Sequence, residues 1–139
     1  MKCFHYGVTI CFEDTDAAGV VYYANYLRYF ERARSAMFRE LGYSQVQLKE
    51  ESALGFVVKR VAQDLHKPSS LEDVLDIRTS ILEVSRASVL LKQDVYKENE
   101  DTPLVEGSVL MVAVDTSSFK PKRIPKDMYQ QLNSLLKVE

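Results

Sequence analysis

No glycine or proline interrupts residues 20–41, where Leu27, Phe30, Ala33, Met37 and Leu41 recur at helical spacing opposite Arg28, Arg32 and Arg39. The spacing predicts one long amphipathic helix, stopped by Gly42 as its C′ residue. Four extended stretches follow, approximately 56–66, 74–84, 87–97 and 104–115, punctuated by HKPSSLED, VSRA and ENEDTP, all of which carry turn chemistry. Connections of that kind imply antiparallel neighbours. A lone apolar-faced helix and a set of strands can bury their apolar surface only against each other. The expected class is therefore α+β, one antiparallel five-stranded sheet wrapped around one long central helix.

The fifth strand comes first in the chain. Phe4, Tyr6, Val8, Ile10 and Phe12 alternate with Cys3, His5, Gly7, Thr9 and Cys11, which predicts a strand over 4–12. Ser44 with Gln47 makes a capping box for a short helix in SQVQLKEES. Residues 109–114 are apolar at every position, the pattern of a central strand covered on both faces, and Gly107 marks a bulge or a close backbone approach. Pro125 suits the first position of a closing helix, KDMYQQLNSLL, with a polar tail after it. The strands exceed the usual five or six residues or so, a length that suits a sheet reaching past its helix to a second subunit.

Composition narrows the function classes. A chain of 139 residues with 46% hydrophobic and 27% charged residues is expected to form a single domain spanning 1–139. No stretch approaches the roughly 18 apolar residues of a membrane helix, and MKCFHYG lacks a signal peptide's apolar region, so a cytoplasmic location is the expectation. The net charge of -2, with KPKR at 120–123 as the one basic cluster, argues against nucleic acid as a partner. Cys3 and Cys11 lie too far apart on one strand to bond, so both are expected reduced.

The stretch FEDTDAAGVVYYANY, 12–26, crowds Glu13, Asp14 and Asp16 ahead of a glycine and a run of aromatics. Asp14, Thr15 and Asp16 could simply form a solvated turn that caps the helix. The alternative is chemical. Gly19 permits a tight turn, and a helix start then offers unfilled N–H groups a few residues from a carboxylate. A base or nucleophile beside oxyanion donors is what acyl transfer requires.

The run FEDTDAAGVVYYANYLRYFERAR resembles the signature of the hot-dog-fold acyl-CoA thioesterases, in the YbgC and 4-hydroxybenzoyl-CoA thioesterase branch, and the element order is similar over essentially the whole chain. The resemblance implies thioester hydrolysis without metal or prosthetic group, with Asp16, the second acid of D-x-D, as nucleophile or general base and the Tyr23 backbone N–H polarising the carbonyl. Members of this branch commonly carry His where Tyr23 stands, so only the backbone role transfers. A carboxylate lines the pocket of aromatic-acyl relatives at the position of Glu31; its plainer reading is a surface pair with Arg34 or Arg28. Acyl-CoA is the implied substrate, with acyl-carrier protein a further partner, in a homodimer or a homotetramer built from two dimers. Two-fold pairing of sheet edges would set Asp16 and Tyr23 against a wall at 58–62 of the second chain, including Val58 and Arg60.

Among the cations, Lys59, Arg60, Arg86, Lys120 and Lys122 are candidates for the phosphates of coenzyme A, Arg86 in its inter-strand turn foremost. Tyr22, Tyr26 and Tyr29 are either an aromatic acyl pocket or core. His5 and His66 lack metal-ligand spacing and read as structural. Two rivals stand beside hydrolysis: a non-catalytic acyl-CoA or acyl-carrier-protein binding module on the same fold, and a dehydratase, whose His-Asp pair neither histidine obviously supplies.

Overall fold

A computed structural model describes residues 2–136. The elements in chain order are β1 (Phe4–Thr9), α1 (Asn25–Glu40), α2 (Gln45–Ser52), β2 (Leu54–Leu65), β3 (Val74–Val84), β4 (Ser88–Lys97), β5 (Pro103–Asp115) and α3 (Lys126–Ser134). The polar tail expected after α3 lies at 137–139, outside the described residues.

All five strands join one antiparallel sheet in the order β1-β3-β4-β5-β2. Turn-like connections predict neighbours correctly for β3–β4 and β4–β5, but β2 and β3 are not adjacent. The segment 66–73 carries the chain across the end of the sheet instead. It is held there by the Val20–Ser70 bridge, by Val21 N–H donating to Ser69 O at 2.8 Å, and by a 2.7 Å hydrogen bond between the Tyr26 and Ser69 hydroxyls. These partners lie far away in sequence, so turn composition alone could not reveal them.

The long helix is shorter than its apolar spacing suggests. Val20 and Val21 sit in bridges with Ser70 and Thr15, and α1 begins only at Asn25. Its end matches expectation: Gly42 takes φ 96°, its N–H donates to Arg39 O and the Tyr43 N–H to Phe38 O, the two bonds of a Schellman motif. Ser44 caps α2 by accepting from the Gln47 N–H at 3.2 Å.

Tyr26, Tyr29, Phe30, Ala33 and Met37 pack onto the concave face of the sheet, against Val105, Val109, Met111 and Ala113 of β5 and Val89, Leu91 and Val95 of β4. Gly107 is the place of closest approach, where an added Cβ would lie 2.8 Å from Gln93 O and 2.9 Å from the Phe30 ring. Continuous apolarity at 109–114 overstates the coverage, since Leu110 and Val112 remain half-buried on the convex face. Phe12 departs further: β1 ends at Thr9, residues Phe12–Asp14 form a 3-10 turn, and Phe12 is 81% exposed, whereas Ile10 is buried. The turn reverses the alternation that the first strand sets up.

Strand β2 is an edge, 12 residues long, with Val57, Val58, Val61 and Leu65 all exposed. A bulge at Lys59 shifts its register between Val58 and Arg60. Val58 therefore pairs with concave-facing Met111, while Arg60 pairs with Leu110 and turns to the convex face.

Candidate active site

Loop 10–24 is bound into a fixed shape by its own backbone. Asp16 N–H donates to Val20 O, Tyr22 N–H to Asp14 O, and Gly19, at φ 82°, closes the turn by donating to Asp16 O. Thr15 and Val21 form a bridge across the base. Asp16 and the helix start are thus the two arms of one small antiparallel turn.

The neighbouring acid has a structural task. Asp14 accepts from the Cys11 N–H at 2.8 Å, and its carbonyl accepts from Tyr22 N–H and from Asn25 Nδ2 at 2.8 Å. Its carboxylate also lies near the buried Tyr29 hydroxyl without meeting hydrogen-bond geometry, and that hydroxyl has no partner among the described residues. Burial first, then the charge of Asp14, push the Tyr29 hydroxyl above its ordinary pKa. Asp16 by contrast is exposed, and Oδ1 accepts only the Ala18 N–H, at 2.9 Å.

Helix α1 opens on Ala24, which provides no side-chain cap. Asn25, Tyr26 and Leu27 turn their N–H groups back onto Tyr22, Tyr23 and Ala24, but the amides of Tyr23 and Ala24 find no acceptor among the described residues. Asp16 and Tyr23 line a common cleft of about 320 Å³ with Val20, Val21, Tyr26 and the crossover residues His66 and Lys67. Gln63, which the sequence reading passed over, donates from Nε2 to Tyr23 O at 3.3 Å and leaves its Oε1 buried and unpartnered. Its parity in β2, two residues from Leu65, was the available signal.

The remaining candidates separate. Glu31 and Val58 line a second cavity, about 460 Å³, together with Arg34, Phe38, Phe56 and Met111. Glu31 is exposed and forms no ion pair among the described residues, so the surface-pair reading is not realised. Arg60 faces away from both cavities. Arg86 shares a third hollow with Arg123, Lys126 and Tyr129. It sits beyond the far end of β3, an 11-residue strand, so roughly 33 Å of sheet separates it from the Asp16 loop within one chain. Tyr26 and Tyr29 are core, at 3% and 1% exposure, and Tyr22 is exposed. His5 pairs with Asp76 and His66 with Glu106, both on the surface.

Comparison with known proteins places this architecture. The sequence profile of the thioesterase-like superfamily matches residues 10–132. The acyl-CoA thioesterase YbgC of Haemophilus influenzae is 39% identical over 125 residues, covering 90% of each chain. The chain belongs to the thioesterase-like superfamily, in its YbgC group of thioester hydrolases. The acyl-CoA thioesterase YbgC of Helicobacter pylori is 35% identical over 97% of this chain and 100% of its own length. A probable thioesterase from Bartonella henselae superposes with a TM-score of 0.83 at 28% identity, covering 89% of this chain and 100% of the other. The five-stranded sheet around α1 is accordingly the α+β hot-dog fold. No described helix is long and apolar enough to cross a membrane.

Proposed function

We propose that this protein hydrolyses acyl-CoA thioesters to a free carboxylic acid and coenzyme A, with Asp16 as nucleophile or general base and the Tyr23 N–H as oxyanion donor. The observation that carries this reading is the common cleft: it is lined by a carboxylate whose side chain accepts a single hydrogen bond and by Tyr23, whose amide is unfilled among the described residues. The thioester carbonyl sits with its oxygen on the amides. Asp16 then either attacks the carbonyl carbon, giving an anhydride that water opens, or removes a proton from the attacking water. In both routes charge gathers on the carbonyl oxygen, where preorganised donors are worth most, and collapse breaks the C–S bond. The coenzyme A thiolate leaves and takes up a proton. The hydrogen bond from Gln63 to Tyr23 O orients the peptide that carries the Ala24 amide, so Gln63 is a positioning residue.

The exposed β2 edge supports the assembly expected from the sequence. Antiparallel pairing of β2 with its copy would cover that edge and bring the Val58 end of one strand beside the Leu65 end of the other. The same operation sets the Arg86 hollow of one chain at the Asp16 end of its neighbour, the arrangement in which Arg86 could serve coenzyme A phosphates. Glu31 and Val58 belong in this reading to the acyl-binding wall.

Charge removal tests the carboxylate. Asp16→Asn should fold and lose at least about 100-fold in turnover of acyl-CoA, measured by thiol release. Asp14→Asn should instead lower stability, because it weakens the bond to Cys11 N–H. Full activity in Asp16→Asn would remove Asp16 from the chemistry. A wild-type protein that binds acyl-CoA without releasing thiol would favour the binding-module reading.

A further inference from the structure

The cavity of about 460 Å³ contains a charge that the hydrolysis reading does not use. Arg34 is only 9% exposed, and among the described residues no carboxylate forms an ion pair with it. Its single hydrogen bond runs from Nη1 to Gln93 Oε1, 3.0 Å. That acceptor is fixed: Gln93 is fully buried and its Nε2 donates to Phe30 O at 3.0 Å and to Thr79 Oγ1 at 2.9 Å. The sheet thus grips one guanidinium nitrogen and leaves the others. None of those others is sealed away, since the fully buried, unpartnered polar atoms among the described residues are the Tyr29 hydroxyl and Gln63 Oε1. They keep some access to solvent, and the cavity is the space that Arg34 lines.

A buried cation is costly unless something pairs with it. Burial pulls the guanidinium below its ordinary pKa and nearby Glu31 partly restores it, yet Glu31 is solvent-exposed and not in contact. Phe38, Leu54, Phe56, Val58 and Met111 make most of the remaining wall apolar, and Ser35, Gln45, Lys49 and Thr116 add polar groups to it. A planar fork with free donors in such surroundings matches a carboxylate, which accepts two parallel N–H bonds.

We infer that Arg34 receives a terminal carboxylate of the acyl group, so that the thioesters this enzyme takes best carry an ω-carboxyacyl chain. This rests on the acyl-CoA hydrolysis proposed above. Tyr23 and Arg34 are eleven positions apart on the same stretch, about 16 Å at helical rise, and the Arg34 side chain leans back toward the helix start. Leu27 on α1 and Val61 on β2 fall between the two sets of lining residues along their own elements, and both are exposed. The fitting chain is accordingly of medium length, nearer suberoyl than succinyl.

Two measurements test this with the intact protein. First, kcat/KM is compared for succinyl-, glutaryl-, adipoyl-, suberoyl- and sebacoyl-CoA, each against the monocarboxylic acyl-CoA of equal length. The ω-carboxyl thioester should be preferred at medium length, and Arg34→Gln should reduce that preference at least about tenfold, the scale of one charge-assisted hydrogen bond. Arg34→Lys should keep part of it, and Glu31→Gln should increase it by removing a like charge from the cavity. Second, free suberate is titrated calorimetrically into wild type and Arg34→Gln, which reads the cavity without turnover. Suberate binding that Arg34→Gln abolishes supports the inference even if no thioester is cleaved, and in that case the hydrolysis proposal fails alone. Preference for the neutral acyl-CoA at every length, or suberate binding indifferent to Arg34, overturns it. So would an assembled structure in which a carboxylate of a second copy pairs with Arg34.

Discussion

Gly107 offers a quantitative check on how α1 sits against the sheet. Its Cβ position lies 2.8 Å from Gln93 O and 2.9 Å from two atoms of the Phe30 ring, closer than real Cβ contacts. Neither neighbour can yield cheaply. Gln93 O belongs to the ladder between β4 and β5, and Phe30 is fully buried in the middle of α1. Gly107→Ala must therefore move the helix or the strand by some tenths of an ångström, and overpacking of that kind costs about 1–3 kcal/mol. Removing a strand glycine returns about 0.5–1 kcal/mol through the unfolded chain. The balance is a loss of up to about 2.5 kcal/mol, centred a little above ~1 kcal/mol, which corresponds to a fall in Tm centred on about 3–5 °C for a domain of this size. Thermal unfolding followed by circular dichroism should show it, at fixed protein concentration because association would move Tm. Gly7→Ala is the control, since its Cβ would meet nothing closer than Leu75 O at 4.0 Å. If Gly107→Ala melts at or above Gly7→Ala, the close packing of Phe30 on β5 is not what limits the approach of helix to sheet.

Other perturbations reach different parts of the molecule. Arg86→Ala should raise KM for acyl-CoA, lessen its salt sensitivity and leave kcat nearly unchanged, the pattern of lost uniform binding; unchanged KM would exclude Arg86 as a phosphate ligand. Mixing chains that carry Asp16→Asn with chains that carry a disruptive Val58 substitution should restore activity to up to about half the sites of a heterodimer, and verified but inactive heterodimers would refute a shared cleft. Asp115 accepts from the Ser118 and Ser117 N–H groups, which hold its carboxyl below the ordinary range. Its stabilising contribution is therefore present above the unfolded pKa and lost as pH falls through the lower folded one, so Asp115→Asn should be less stable than wild type at neutral pH and the gap should close in acid.

What the sequence makes legible follows from the range of the interactions involved. The Schellman stop at Gly42, the Ser44 cap and strand β3 are set by residues within a turn or two of each other, and the spacing reveals them. The start of α1 is not local. Val20 and Val21 have the apolarity of a helix, but Ser70 and Thr15 claim their backbones as bridges; Gly19 signals the turn back to Thr15, whereas nothing near them in sequence signals Ser70. Phe12 fails likewise, since a 3-10 turn interrupts the two-residue alternation. At the site, Asp16 and Tyr23 are legible as a motif, while Arg34 could have been found by counting: it stands four residues after Phe30 and four before Phe38, inside the buried stripe of α1. A cation there calls for an acceptor. The separation of Val58 from Arg60 was hidden, because a bulge inverts parity without any glycine or proline to mark it.

On the hydrolysis proposed above, a division of labour between Asp14 and Asp16 explains how these two acids can stand so close together. A carboxylate used for chemistry must keep its lone pairs available, yet its position must be held to a fraction of an ångström. Those demands conflict if one residue meets both. Here Asp14 takes the structural burden, its side chain on Cys11 N–H and its carbonyl on Tyr22 N–H and Asn25 Nδ2, so the arm leading to Asp16 and the arm leading to Tyr23 are joined through it. Asp16 is then positioned by backbone bonds on either side, and its own side chain contributes only the Ala18 contact. Gly19 completes the device by taking the left-handed conformation that reverses the chain within so few residues. Repulsion between the acids is tolerable because Asp16 remains in solvent, where charges a few ångströms apart interact by only about 1 kcal/mol.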